Sequence, residues 1–137
     1  MADLARARLR VAVAGGALAA FAELVPVAAD AIIVRDAAIQ RFEFTVEAVW
    51  KAAQAVLDAT EGLLVASPKS AIRASHDVGW LTAAQADAAF DAIDARNMTS
   101  HTYDRDLAAL LRQRLPAHLA LLQTWQRSLA SVLGRAP

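Results

Sequence analysis

Apolar residues return every three or four positions along most of this 137-residue chain, the period of a helix that buries one face. The clearest run is Ile39, Phe42, Val46, Val49, Trp50, Ala53, Val56 and Leu57, with Asp30 ahead of it as an N-cap and Gly62 behind it as a stop. Glu43, Glu47 and Lys51 succeed one another at i, i+4 on the opposite side, where neighbouring side chains meet. Before that run, Leu4, Val11, Leu18 and Phe21, with small alanines between them, predict a first helix. Ser67-Pro68 opens a short third helix by the cap-plus-proline pattern, and Gly79 marks its end. Thr82 to Gln85 has the form of a capping box. Beyond it Ala86, Ala89, Phe90, Ile93 and Asn97 share one face, while Asp87, Asp91 and Asp94 line another. Asp104 is placed to cap a last helix whose stripe is Leu107, Leu111, Leu115, Leu119, Leu122, Trp125, Leu129 and Val132; Pro116 is expected to bend or split it. Long helices and short turns together predict an all-α, antiparallel up-down bundle of four or five helices, a single domain over residues 1–137.

Composition supports that picture and removes several chemistries. Apolar residues make up 57% of the chain, with only 5 glycines and 4 prolines, which favours helix over disorder. Lysine and arginine balance aspartate and glutamate at 14 each, so no global field recruits nucleic acid, although a local basic patch remains compatible with that total. The absence of cysteine removes disulfides, thiolate metal sites and cysteine nucleophiles, and agrees with a cytoplasmic protein. Arg6, Arg8 and Arg10 precede an apolar run from Val11 to Ala22 that ends Ala20-Phe21-Ala22, the outline of a secretory signal. Asp3 within the basic segment and the helical spacing of Leu4, Val11, Leu18 and Phe21 argue instead for an ordinary first helix. Extending the run to a membrane span meets Glu23, Pro26 and Asp30, so no membrane partner is expected.

Chemistry concentrates in Arg96-Asn97-Met98-Thr99-Ser100-His101-Thr102-Tyr103, which gathers a guanidinium, an imidazole and a phenol at the expected junction of two helices. No glycine-rich phosphate loop, Ser/His/Asp arrangement or metal-spaced histidine pair accompanies it, so neither cofactor nor metal is expected. This stretch does not stand alone. Arg35-Asp36-Ala37-Ala38-Ile39-Gln40-Arg41-Phe42-Glu43-Phe44-Thr45 with Glu47, Trp50 and Lys51, then Ser67-Pro68, then Asp94 to Asp104, resemble in order and spacing the nucleotidyltransferase substrate-binding protein family, part of the HEPN superfamily of helical bundles. The likeness spans roughly residues 3 to 130, and its least distinctive part is the alanine-rich first helix.

The resemblance implies a HEPN-like homodimer encoded beside a minimal nucleotidyltransferase, many such pairs being toxin and antitoxin. Arg96 and His101 fit the superfamily's Arg-x4-His ribonuclease motif, and Tyr103 completes the Arg-x4-His-x-Tyr form whose tyrosine receives AMP from the partner enzyme. RNA is the implied substrate. The residue chemistry agrees: imidazole titrates near neutrality and can move protons, and guanidinium holds phosphate oxygens in pairs. A symmetric dimer supplies a second His101, and Asn97 is placed to contact the phosphate or orient the histidine. The alternative is a non-catalytic subunit that binds the nucleotidyltransferase and presents its substrate. Glu43, Glu47 and Lys51 read first as solvated helix pairs and second, with Arg35 and Gln40, as cleft or partner contacts. His76 and His118 read as structural, the aspartate stripe as a solvated face, and Trp50, Trp80 and Trp125 as core or interface anchors.

Overall fold

The computed structural model describes residues 2–27, 32–101 and 103–136; the Asp30 cap lies outside them. Five helices appear in chain order: α1 (Ala2–Leu24), α2 (Ile32–Val56), α3 (Pro68–Asp77), α4 (Ala83–Asn97) and α5 (Arg105–Gly134). Among the described residues there is no strand, and no helix is long and apolar enough to cross a membrane.

The basic-apolar N-terminal run is α1, packed into the bundle through Ala7, Val11, Ala14, Leu18 and Phe21, all buried. Its small residues let backbones approach closely, and side chains from the neighbouring helices bond directly to its carbonyls. The buried Thr45 hydroxyl donates to Ala17 O (3.2 Å) and to Arg41 O (2.7 Å), and Arg41 Nη1 donates to Ala20 O (2.6 Å). Arg6 meets Asp58 at 3.2 Å, so early α1 faces the end of α2 and late α1 its beginning, an antiparallel pair. On the other side Gln126 Nε2 donates to Val11 O (2.7 Å), and α5 runs antiparallel to α1 as well. At Gly15 a methyl group would stand 3.4 Å from that Gln126 nitrogen.

Every residue of the predicted α2 stripe from Ile39 to Leu57 is buried. The helix does not stop cleanly: Leu57–Glu61 widen into a π turn, closed by Gly62 at φ 65°, whose N–H reaches Asp58 O at 3.2 Å. Glycine takes this left-handed conformation without strain. Ser67 caps α3 with Ser70 in the reciprocal position, and Thr82 caps α4 with Gln85, its N–H and hydroxyl paired at 2.9 and 3.1 Å. On α4, Ala86, Ala89 and Ile93 are buried as predicted, whereas Asn97 at the helix end is exposed. Pro116 leaves α5 a single helix of 30 residues. A proline inside a helix costs roughly 3 kcal/mol, but it lies on the exposed side. Leu111, Leu115, Leu122, Trp125 and Leu129 are buried on both sides of it, each contributing roughly 1.5–3 kcal/mol.

Two apolar clusters result. The main one joins all five helices and includes Leu115 to Leu133 of α5; a small one consists of Ile39, Ala108 and Leu111, with Ala95 and Leu107 against it. His118 closes the main cluster near their boundary, 6% exposed and stacked on Phe42 with ring centroids 5.2 Å apart. Burial first, then Arg114, lower its pKa below the ordinary 6.5, with Asp91 acting in the opposite direction. Above that value both folded and unfolded chains hold it neutral; below it the unfolded chain takes the proton first. Its share of stability is therefore full above 6.5 and is lost as pH falls toward the folded value. In urea titrations at about pH 7.5 and about pH 5, the parent is expected to lose more stability on acidification than His118→Gln. Equal losses would show that His118 does not set the difference.

Candidate functional site

The α4–α5 junction is built by local hydrogen bonds that turn the chain within a few residues. Met98 N–H ends α4 on Ala95 O (3.1 Å), and the buried Thr99 hydroxyl donates to Arg96 O (2.7 Å). A single 3-10 turn over Thr99–His101 follows, with His101 N–H on Met98 O (3.1 Å) and Asp104 N–H on His101 O (3.0 Å). Asp104 then starts α5, its Oδ1 accepting from Asp106 N–H (3.0 Å) and Leu107 N–H (3.2 Å), as the sequence predicts. This tight reversal leaves His101 exposed and Tyr103 83% exposed. Their rings meet edge to face, centroids 6.0 Å apart at 67°.

Arg96 points the other way, from the end of α4 onto α2. Its Nη2 lies 3.9 Å from Glu47 Oε2, and Glu47 Oε1 lies 3.4 Å from Lys51 Nζ. Exposed pairs of this kind contribute under about 1 kcal/mol, so their effect is to hold the guanidinium in place. Arg96 Nε is buried with no hydrogen-bond partner. The i, i+4 pairing of Glu47 with Lys51 is as the sequence predicts. The extension of that pair to Arg96 depends on tertiary packing and has no local signal.

The other predicted residues are dispersed. Glu43 and Gln40 line a shallow depression of about 520 Å3 on α2, beside Ile33 and Asp36. Arg35 is held by its neighbour Asp36 at 3.3 Å. Asn97 is exposed beside Arg96. The structure thus brings together Arg96, Glu47 and Lys51 as one group and His101 with Tyr103 as another; no hydrogen bond joins the two groups among the described residues. His76 Nδ1 pairs with Leu81 O at 3.0 Å, a structural role. Asp87 and Asp91 are solvated, and Asp94 reaches Lys69 at 3.3 Å.

Five packed helices match solved HEPN proteins in fold. The toxin–antitoxin complex MntA–HpeT contains a chain with a TM-score of 0.75 at 12% identity, covering 91% of this chain and 97% of that one. The tri-AMPylated Shewanella oneidensis HEPN toxin in complex with MNT antitoxin gives 0.72 at 12% identity, over 91% and 96%. At such identity the likeness establishes the HEPN bundle and nothing finer. Residues 9–131 match the family described as nucleotidyltransferase substrate binding protein like, and this chain belongs to that family. A protein from Thermus thermophilus, known by its crystal structure, is 44% identical over 85% of this chain and 98% of its own, with a TM-score of 0.82. Among curated proteins there is no match.

Proposed function

We propose that this chain is the toxin of a toxin–antitoxin pair, a metal-independent endoribonuclease that acts as a homodimer. Its cognate minimal nucleotidyltransferase silences it by adding AMP to Tyr103. The observation that carries this reading is the α4–α5 junction, which presents His101 and Tyr103 in edge contact on the surface next to the helix end that holds Arg96. In the reaction His101 removes the ribose 2′-hydroxyl proton, and the 2′-oxygen attacks the adjacent phosphorus. Arg96 stabilises the charge on the phosphoryl oxygens as the bond to the 5′-oxygen breaks. The leaving oxygen takes its proton from His101 of the second protomer. Modification joins the Tyr103 phenolic oxygen to the α-phosphorus of a nucleoside triphosphate, with pyrophosphate leaving and the phenolic proton passing to solvent. The attached AMP puts bulk and negative charge where the RNA phosphate binds.

A second reading keeps the same surface without catalysis, as a subunit that presents substrate to the nucleotidyltransferase. The engagement of Arg96 with Glu47, and the absence of any hydrogen bond from that group to His101 among the described residues, favour it. Intact mass after co-expression with the neighbouring nucleotidyltransferase separates the two. The expected result is addition of one or more AMP groups mapping to Tyr103, lost in Tyr103→Phe, with unmodified protein cleaving RNA and modified protein inert. Unmodified, non-toxic protein in an active pair would leave the presenting subunit as the function.

A further inference from the structure

Trp80 packs against the core without being fully absorbed by it. Trp50 and Trp125 are buried, but Trp80 is half-buried in the turn between α3 and α4. That turn lies at the end of the bundle opposite His101, beside the start of α1 and the finish of α5. The turn is fixed: Gly79 takes φ 85°, Trp80 N–H bonds to Ser75 O (2.8 Å), and Trp80 O accepts from the Ser128 hydroxyl (2.9 Å). Around it open a cavity of about 830 Å3, bounded also by Asp3, Arg8, Glu61 and Arg135, and an adjoining one of about 390 Å3, bounded also by Arg127 and Arg135.

The charges in these cavities are held yet unspent. Arg127 Nη2 rests on the Thr124 hydroxyl (3.2 Å) and Arg135 Nη1 on the Ser131 hydroxyl (3.1 Å). Among the described residues, neither they nor Arg8, Asp3 and Glu61 form an ion pair. Each guanidinium keeps donors in the planar fork that fits phosphate. An aromatic side chain on a fixed turn, with three arginines and two carboxylates around two adjoining openings, matches the parts of a nucleotide: base, phosphate and ribose hydroxyls. We propose that this end of the bundle binds a nucleotide, with its base against Trp80, its phosphates on Arg8, Arg127 and Arg135, and its ribose toward Asp3 and Glu61. The phosphate comes either from a free nucleoside triphosphate or from the 5′ end of an RNA strand. The site is separate from the Arg96–His101 surface and does not depend on the reading given for it.

Tryptophan fluorescence of the full chain tests this, because Trp50 and Trp125 are buried and Trp80 is only half-buried. ATP and a 5′-phosphorylated RNA trinucleotide are titrated separately. Saturable quenching is expected from at least one, competed by inorganic pyrophosphate; the tighter binder identifies the source of the phosphate. Arg127→Gln/Arg135→Gln is expected to weaken binding about tenfold or more, the loss of roughly 1.4 kcal/mol of charge-assisted bonding. Arg73→Gln, whose guanidinium sits over Phe90, is expected to bind like the parent. No saturable quenching by either probe, or equal quenching by the double variant and the parent, would overturn the proposal and leave the His101 chemistry untouched.

Discussion

His101→Ala is expected to abolish growth arrest on expression and to slow RNA cleavage by the unmodified protein about 10²–10⁴-fold, the usual contribution of a positioned acid–base group. The side chain is exposed and its backbone alone makes the turn: N–H to Met98 O and C=O to Asp104 N–H. The substitution therefore leaves the junction folded, and the urea midpoint is expected to stay within error of the parent. This separates chemistry from stability. Arg96→Lys provides a companion measurement, because lysine keeps the charge near Glu47 but loses the paired donors that fit phosphoryl oxygens. Cleavage that survives His101→Ala unchanged would exclude His101 as the acid–base group, whereas no cleavage by the unmodified parent would favour the presenting subunit.

Trp125→Ala is expected to cost about 3–5 kcal/mol, a large share of the roughly 5–15 kcal/mol typical of a domain. Trp125 is 1% exposed in the middle of the α5 stripe, and truncation leaves a cavity that the surrounding helices close only partly. A chemical denaturation curve reads the loss directly as a lower midpoint at similar slope. Trp125→Phe is expected to cost much less, because the indole N–H it removes has no partner in the core; a loss as large as that of alanine would show that this N–H is satisfied in solution.

What the sequence made legible was whatever depends on neighbours along one helix. The α2 stripe, the Ser67 and Thr82 caps and the Asp104 cap are local patterns, and each appears where the spacing puts it. The placement of Arg96, His101 and Tyr103 at the α4–α5 junction was likewise readable, since they lie within eight residues. Features that depend on the third dimension were not. The π turn at Leu57–Glu61 carries no residue that distinguishes it from the end of an ordinary helix. Pro116 signals a break, yet burial on either side of it outweighs the lost backbone bond. The approach of Glu47 to Arg96, and the cavity that joins Trp80 to Arg8 and Arg135, connect residues from separate helices. No period along the chain encodes such meetings.

The small apolar cluster of Ile39, Ala108 and Leu111 has a dynamic consequence. The first turns of α5 rest on these three buried residues, while its C-terminal half is sewn into the main core, and Pro116 marks the seam with a missing donor to the Arg112 carbonyl. Cooperative units of unequal burial open separately. The amides of Ala108 and Leu111 are thus expected to exchange with deuterium ahead of those of Leu122 and Leu129. Such breathing frees the His101–Tyr103 turn while the bundle beneath it stays intact.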